Sequence, residues 1–383
     1  MWIQEVLEGQ VNMSKLDVIC ANLNKTMGGD LITKGILYED LPKIPFSSNR
    51  LNHMMYGGFP RGFMAEFYGD GGGGKTTTAL DLIGNAQILF QKEWEEKIAE
   101  LEAIKQPNKT QKQEYARLKE AGPLKCLFLD VECTLDREWA ETLGVDVDNL
   151  YVFRPETQSA EDILQICLDM CDTGEVGMVV LDSIGALYSD QENEKTLSEK
   201  VYCGVAGPLT RFSKKITRLS SKYKISVIMI NQVRENIDAQ YGPRLKTTGG
   251  KAFKHHCALR VMFMKGEYLD ERNNKLTSGC EEPAGNIVKV HIEKTKKFAP
   301  NRKEGFYTLN YKKGIDKVAD LIEVCLLKGV IIKNGSYYSI LDTDGTVLKD
   351  DEDNDVKIQG KADLQEFIEK TEVIYNYLTE CLG

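Results

Sequence analysis

The sequence predicts an α/β fold with a mostly parallel sheet covered by helices, and three observations predict it. Residues 67–77 read Phe-Tyr-Gly-Asp-Gly-Gly-Gly-Gly-Lys-Thr-Thr and fit G-x-x-x-x-G-K-[ST] at Gly69, Gly74, Lys75 and Thr76, between a strand-like run (64–68) and a helix-like run (77–90). From residue 124 onward, near-continuous apolar runs alternate with helical ones, as expected where parallel strands are buried on both faces. Three of those runs end in or just before polar residues, Glu132, Asp182 and Gln232, and ligands of such sheets collect at the carboxyl ends of the strands.

Taken in order, residues 14–23 carry Leu16, Ile19 and Leu23 at helical spacing, and Gly28-Gly29 stops the helix. Packing on the core and packing on a neighbouring subunit both account for that face. Pro42 and Pro45 mark a linker, and residues 48–55 form a helix stopped by Gly57-Gly58. Residues 91–123 change composition. Trp94, Ile98 and Leu101 share a face, Pro107-Asn108 breaks the run, and Tyr115 and Leu118 follow, which reads as an inserted helical hairpin. Strands are expected at 126–131, 176–182 and 226–230, with helices at 160–172 and 206–223 between them. Two later strands, 259–264 and 287–292, are joined by a hairpin loop (267–285). A helix (318–327), a strand (337–341), an acidic turn (350–355) and one amphipathic helix (362–382) then suggest a small α+β end.

Composition bounds the function classes. Of 383 residues 42% are hydrophobic, enough for a sizeable core. No run of 18 apolar residues occurs, so no membrane span is expected. The first residues lack a basic segment followed by an apolar one, so no secretory signal is read. Ten cysteines without a C-x-x-C pair argue against zinc and for reduced thiols in a cytoplasmic protein. Net charge is −9, yet residues 205–316 hold 23 Lys/Arg against 10 Asp/Glu, a surplus of 13 that leaves −22 for the rest. A polyanion-binding surface and ordinary solvated faces both account for that basic middle.

The glycine-rich stretch carries the clearest chemistry. Its glycines let successive backbone N–H groups turn toward a polyphosphate, and the following helix N-terminus adds partial positive charge. A flexible glycine linker would explain neither the Lys-Thr ending nor the flanks. Lys75 is expected to reach the β- and γ-phosphates and the Thr76 hydroxyl to hold Mg²⁺. An apolar strand ending in Asp182 supplies a water-mediated Mg²⁺ contact in such proteins, and a carboxylate such as Glu132 can polarise an attacking water.

These residues, in this order, resemble the RecA family of bacterial and bacteriophage DNA recombinases. The resemblance spans roughly residues 14–375, less 92–122, and rests on residues 67–77, 128–136, 143–150, 180–183 and 229–250. It implies an ATPase core of the RecA-like P-loop NTPase fold (46–316, with 91–123 inserted), preceded by an oligomerisation segment and linker (1–45) and followed by a C-terminal α+β domain (317–383). It implies ATP and Mg²⁺ as cofactors, bound by Gly69, Asp70, Gly71, Gly72, Gly73, Gly74, Lys75, Thr76 and Thr77, with Asp136, Trp139 and Tyr311 at the adenine and Thr76 and Asp182 at the metal. Glu132 would be the general base and Gln232 the γ-phosphate sensor. Lys294 and Lys296 would reach a neighbouring subunit's phosphates.

For DNA, the resemblance implies a loop (233–248) carrying Arg234, Tyr241, Gly242, Arg244 and Lys246, with Arg211 on the basic helix. Cations neutralise phosphates and a tyrosine stacks on bases without reading sequence. An earlier loop (189–202), with Lys195 and Lys200, fits a first DNA loop by position more than by composition. The implied function is filament formation on single-stranded DNA, then homologous pairing and strand exchange with duplex DNA, driven by DNA-stimulated ATP hydrolysis. Recombination mediators or a single-strand-binding protein are the accessory partners expected. A ring helicase or repair motor on the same core, and an ATP-gated single-stranded-DNA filament with little turnover, are the competing readings. Two departures stand out: Gly71 replaces the bulkier residue common in the loop, and His255 stands where relatives often carry an aromatic.

Overall fold

The structure is a computed structural model that describes residues 14–27, 42–193, 204–235, 245–277, 282–349 and 354–382. The chain forms two compact units, Met1–Pro42 and Lys43–Gly383. In the first, the described residues form helix α1 (Lys15–Met27). Ser14 and Asp17 close its start reciprocally: Asp17 N donates to Ser14 Oγ and Ser14 N to Asp17 Oδ2. Leu16, Val18, Ile19 and Leu23 are exposed along it.

The second unit begins with β1 (Lys43–Ile44) paired antiparallel to β2 (Phe59–Pro60), and helix α2 (Asn49–Met54) lies between them in sequence. The phosphate-loop region follows as β3 (Met64–Gly69) and α3 (Lys75–Glu102), then α4 (Lys109–Ala121). Next come β4 (Lys125–Asp130), α5 (Arg137–Thr142), β5 (Leu150–Phe153), α6 (Ala160–Asp172) and β6 (Val176–Asp182). After the short α7 (Asp190–Asn193) come α8 (Ala206–Tyr223), β7 (Ser226–Glu235), β8 (Leu245–Thr247) and α9 (Gly250–His256). The core closes with β9 (Leu259–Leu269), β10 (Gly285–Thr295), β11 (Glu304–Asn310) and β12 (Gly314–Ile315).

One ten-stranded sheet organises these elements in the order β12-β11-β10-β9-β3-β7-β6-β4-β5, with β8 paired to β7. The run from β9 to β5 is parallel throughout, and β10 to β12 continue it antiparallel. Alternation along each strand divides the core. Phe67, Phe128, Val180 and Ile228 face α3, whose Leu80, Ile83 and Phe90 cover that side. Leu129, Val179, Leu181 and Val227 face the other way, under Ile163 and Cys167 of α6 and Leu209 and Ile216 of α8. This is the expected fold: a mostly parallel sheet with helices on both faces.

Two expectations about helices need correction. The phosphate-loop helix does not end near residue 90 before a separate arm; α3 is one helix of 28 residues that forms the first arm of the inserted hairpin. The composition changes at residue 91 because the helix leaves the core, not because it stops. No Gly or Pro falls between Gly84 and Pro107, and only Ile98 and Leu101 are buried beyond Phe90. Asn108 and Gln111 start the return helix with a capping box. The final helix is two, α11 (Lys361–Lys370) and α12 (Glu372–Leu382), broken at Thr371, whose φ is −119°. The break brings Leu364 and Ile368 of one and Ile374 and Leu378 of the other onto the same core.

That core lies under helix α10 (Lys317–Lys328) and a three-stranded antiparallel sheet of β13 (Ile331–Asn334), β14 (Tyr337–Ile340) and β15 (Lys357–Gln359). One buried carboxylate ties it to the rest: Asp320 of α10 accepts from Ser48 Oγ at 3.0 Å and Arg50 N at 2.7 Å, at the start of α2. A second, Asp81 of α3, accepts from Ser47 N at 3.0 Å and holds the same segment to α3. No helix among the described residues is long and apolar enough to cross a membrane. The described cysteines are all free thiols.

Candidate functional site

Four adjacent strands bring the predicted residues together. Gly69 ends β3 opposite Gln232 of β7, and Asp130 of β4 lies opposite Asp182 of β6. Glu132 follows β4 by two residues, and its N–H donates to Asp182 O at 3.2 Å, beside Val131 N at 2.8 Å. The strand order β4-β6-β7-β3 therefore sets Glu132, Asp182, Gln232 and the glycine loop side by side along one sheet end.

The loop is shaped for an anion. Helix α3 starts from Gly74 at φ 92° with no side-chain cap, so its first N–H groups remain for a ligand. Gly69 has φ 150°, and a Cβ there would stand 2.0 Å from Phe263 O, so only glycine lets β3 and β9 approach so closely. Lys75 folds back onto the loop and donates to Gly69 O at 3.1 Å and Asp70 O at 2.7 Å. Burial draws its ammonium below the ordinary lysine range, opposed by the charges of Asp182, Asp70 and Glu132. Thr78 Oγ1 meets the fully buried Tyr307 hydroxyl at 2.8 Å and fixes the helix start against β11.

Thr76 Oγ1 donates to Asp182 Oδ2 at 2.6 Å. Burial pushes the Asp182 carboxyl up to about 6, with the Thr76 hydrogen bond opposing and the Glu132 charge adding. The Lys75 ammonium opposes the rise as well. The hydroxyl and the carboxylate are two hard oxygen donors of the kind Mg²⁺ takes, its remaining positions going to phosphate oxygens and water. The donor set fits that ion.

Glu132 is held from two sides. Its Oε1 accepts from Gln232 Nε2 at 3.1 Å and from the Ser183 hydroxyl. The loop beneath it is pinned by Asp130, which is fully buried and accepts from Thr134 N at 3.0 Å, Leu135 N at 3.2 Å and Arg154 Nε at 3.0 Å. Sequence reading gives Ser183, Asp130 and Arg154 no role in the site. Asp130 reads like any strand-end acid, and Arg154 reaches it from just past the end of β5, which no local pattern reveals.

A cavity of about 320 Å³ lies over the loop, lined by residues 72–77 with Trp139, Lys265, Asn286 and Tyr311. Trp139 and Tyr311 supply the aromatic rings of this lining, and Tyr311 is fixed by a 2.9 Å hydrogen bond to Asn286 Oδ1. Lys265 is a cation at this cavity that sequence reading passed over. Asp136 does not line it: the side chain caps α5, accepting from Trp139 N at 2.7 Å, and so orients the indole. Larger cavities of about 450 and 660 Å³ open beside α11 and beside the insertion, away from the glycine loop.

Other predicted residues lie apart. Lys294 donates to Lys254 O at 2.7 Å and His255 O at 3.0 Å, and Lys296 to His255 O at 2.9 Å, so both cap the C-terminal carbonyls of α9. Arg234 and Lys246 are exposed and directly opposite on the β7–β8 pair. Arg211 is exposed on α8 with Glu161 at 3.6 Å. Tyr241, Gly242 and Arg244, like Lys195 and Lys200, lie outside the described residues.

The family model for the RecA N-terminal domain matches residues 110–316, a stretch that includes Glu132, Asp182, Gln232, Lys294 and Tyr311. Protein RecA of Fusobacterium nucleatum is 32% identical over 327 residues, 84% of this chain and 74% of that protein. Protein RecA of Bacteroides thetaiotaomicron is 31% identical over 306 residues, 80% and 79% of the two chains. Protein RecA of Mycoplasma mobile is 28% identical over 362 residues, 94% and 92%. With a sheet of this order and matches of this extent, the chain belongs to the RecA family.

Proposed function

We propose that the chain is an ATP-dependent recombinase that forms filaments on single-stranded DNA and catalyses homologous pairing and strand exchange, with DNA-stimulated ATP hydrolysis. The observation that carries the reading is the 3.1 Å hydrogen bond between Gln232 and Glu132. Gln232 lies on the strand that continues, two residues later, into Arg234 and the basic β7–β8 pair. A change at the γ-phosphate therefore has a short covalent route to the DNA-facing cations.

In the proposed mechanism ATP lies over residues 69–77, its phosphates on the loop N–H groups and Lys75, with its base against Trp139 and Tyr311. Mg²⁺ would be held by Thr76 and Asp182 and would neutralise phosphate charge. Glu132 orients and deprotonates the attacking water, while Gln232 exchanges its bond to Glu132 for one to the γ-phosphate. Opposed like charges at Arg234 and Lys246 favour a phosphate between them. Lys294 and Lys296 serve the site of the adjoining subunit in the filament. Membership of the family supports this reading. The test is strand invasion: with ATP and Mg²⁺, the chain should join a single strand to a homologous supercoiled duplex and not to a heterologous one. Directional unwinding of a tailed duplex without invasion would instead identify a helicase motor.

A further inference from the structure

We infer that Arg260 is a positioning residue that links the Gln232 sensor of one nucleotide site to the lysines the same chain offers to its neighbour. The inference rests on the function proposed above, in which Lys294 and Lys296 act across the subunit interface.

A continuous set of side chains joins the two places. Gln232 N donates to Asn231 Oδ1 at 3.0 Å. Asn231 Nδ2 is shared between Glu66 Oε1 at 2.8 Å and Thr248 O at 2.9 Å. The other oxygen of Glu66 accepts from Arg260 Nε at 2.5 Å. Arg260 Nη1 pairs with Glu293, which precedes Lys294. Tyr68 donates to the same Glu293 oxygen at 2.6 Å, and the guanidinium lies 4.8 Å over its ring. The set crosses β7, β3, β9 and β10, four neighbouring strands.

Burial argues for more than packing. Glu66 and Asn231 are fully buried and Arg260 is 8% exposed. Apolar side chains of similar volume fill such a place at least as stably as an ion pair, so a charged fork here fits a role in setting discrete arrangements. The guanidinium divides its donors between two carboxylates, and Asn231 divides its amide between a carboxylate and the Thr248 carbonyl at the far border of the DNA hairpin. Moving Gln232 toward a γ-phosphate shifts Asn231, which changes Glu66's hold on Arg260 and Arg260's hold on Glu293. Glu293 in turn sets the backbone that carries Lys294.

The experiment measures single-stranded-DNA-dependent ATP hydrolysis against ATP concentration for the full chain, and nucleotide binding without DNA, in Glu293→Gln, Arg260→Lys and Gln232→Ala. Glu293→Gln should lower kcat about tenfold and reduce the Hill coefficient for ATP. Nucleotide affinity without DNA should stay unchanged, and adding Gln232→Ala to Glu293→Gln should cost little more than Gln232→Ala alone. Glu293 is 45% exposed and its loss leaves the Glu66–Arg260 pair in place, so this variant carries the test even where Arg260→Lys does not fold. Wild-type kcat and cooperativity in Glu293→Gln, or losses that multiply in the double variant, would overturn the relay alone. A wild-type chain with no DNA-stimulated hydrolysis would overturn the proposed function and the relay with it.

Discussion

Gln232 Nε2 and Glu132 Oε1 lie 3.1 Å apart, although 100 residues separate them in the chain. The contact exists because β7 and β4 flank β6, so their ends project over the same Asp182. It places the glutamine that would sense the γ-phosphate on the carboxylate that would activate water. Holding the base in a hydrogen bond until ATP draws the glutamine away is a physical route to low turnover in the resting state.

The base assignment is testable by Glu132→Gln. The substitution keeps the size and the contacts with Ser183 and Gln232 and removes the basicity. Hydrolysis should fall about 10²- to 10⁴-fold. ATP affinity should hold, since Glu132 lies outside the cavity lining. Turnover within threefold of wild type would remove Glu132 from this role.

Two glycines of one loop should respond in opposite ways to alanine. At Gly71 nothing lies within 4 Å of an added Cβ, and φ is not in the left-handed region. Gly71→Ala should leave ATP binding intact and raise stability by about 0.4–1 kcal/mol, because it restricts the unfolded chain. Gly69→Ala meets Phe263 O and should abolish nucleotide binding or folding. Thermal unfolding with and without ATP–Mg²⁺ reads both, and equal effects at the two positions would contradict the loop geometry.

The exposed pair Arg234 and Lys246 should act through phosphates. Alanine at either should weaken single-stranded-DNA binding whatever the sequence, and lower the slope of log K against log salt by about 1. Affinity for free nucleotide should not move. An unchanged salt slope would place the DNA elsewhere.

Asp320 gives a pH signature. Burial pushes its carboxyl up to about 7, from 3.8, against the Arg50 N–H and Ser48 hydroxyl. Because the folded-state value is raised, the protonated acid's contribution to stability is complete below about pH 4 and lost as pH rises through about 7. Asp320→Asn cannot titrate and keeps an acceptor for Arg50 N. Its melting temperature relative to wild type should therefore rise between pH 5 and pH 8, reflecting at most a few kcal/mol. A flat difference would remove this linkage.

Much of the site was legible because buried strands make their polar ends conspicuous. Glu132, Asp182 and Gln232 each lie at or just beyond the end of a buried apolar run, so their shared placement followed from the strand–helix alternation. The supporting residues were not legible in that way. Glu66 and Arg260 are lone charges inside apolar strands, and only their neighbours across the sheet give them partners. Asp136 matched an adenine-side position, yet its local sequence is equally that of a helix cap, which is what its carboxylate does. Lys294 and Lys296 hold the end of α9 through contacts between residues 40 and 41 apart in sequence, which no local pattern reveals.

The central claim is that DNA and nucleotide communicate through Gln232. The most direct measurement is the ATP hydrolysis rate with and without single-stranded DNA in wild type and Gln232→Ala. The account predicts strong stimulation in wild type and nearly none in the variant, whose rate no longer depends on DNA because the contact between Gln232 and Glu132 is gone. Full DNA stimulation in Gln232→Ala would contradict it.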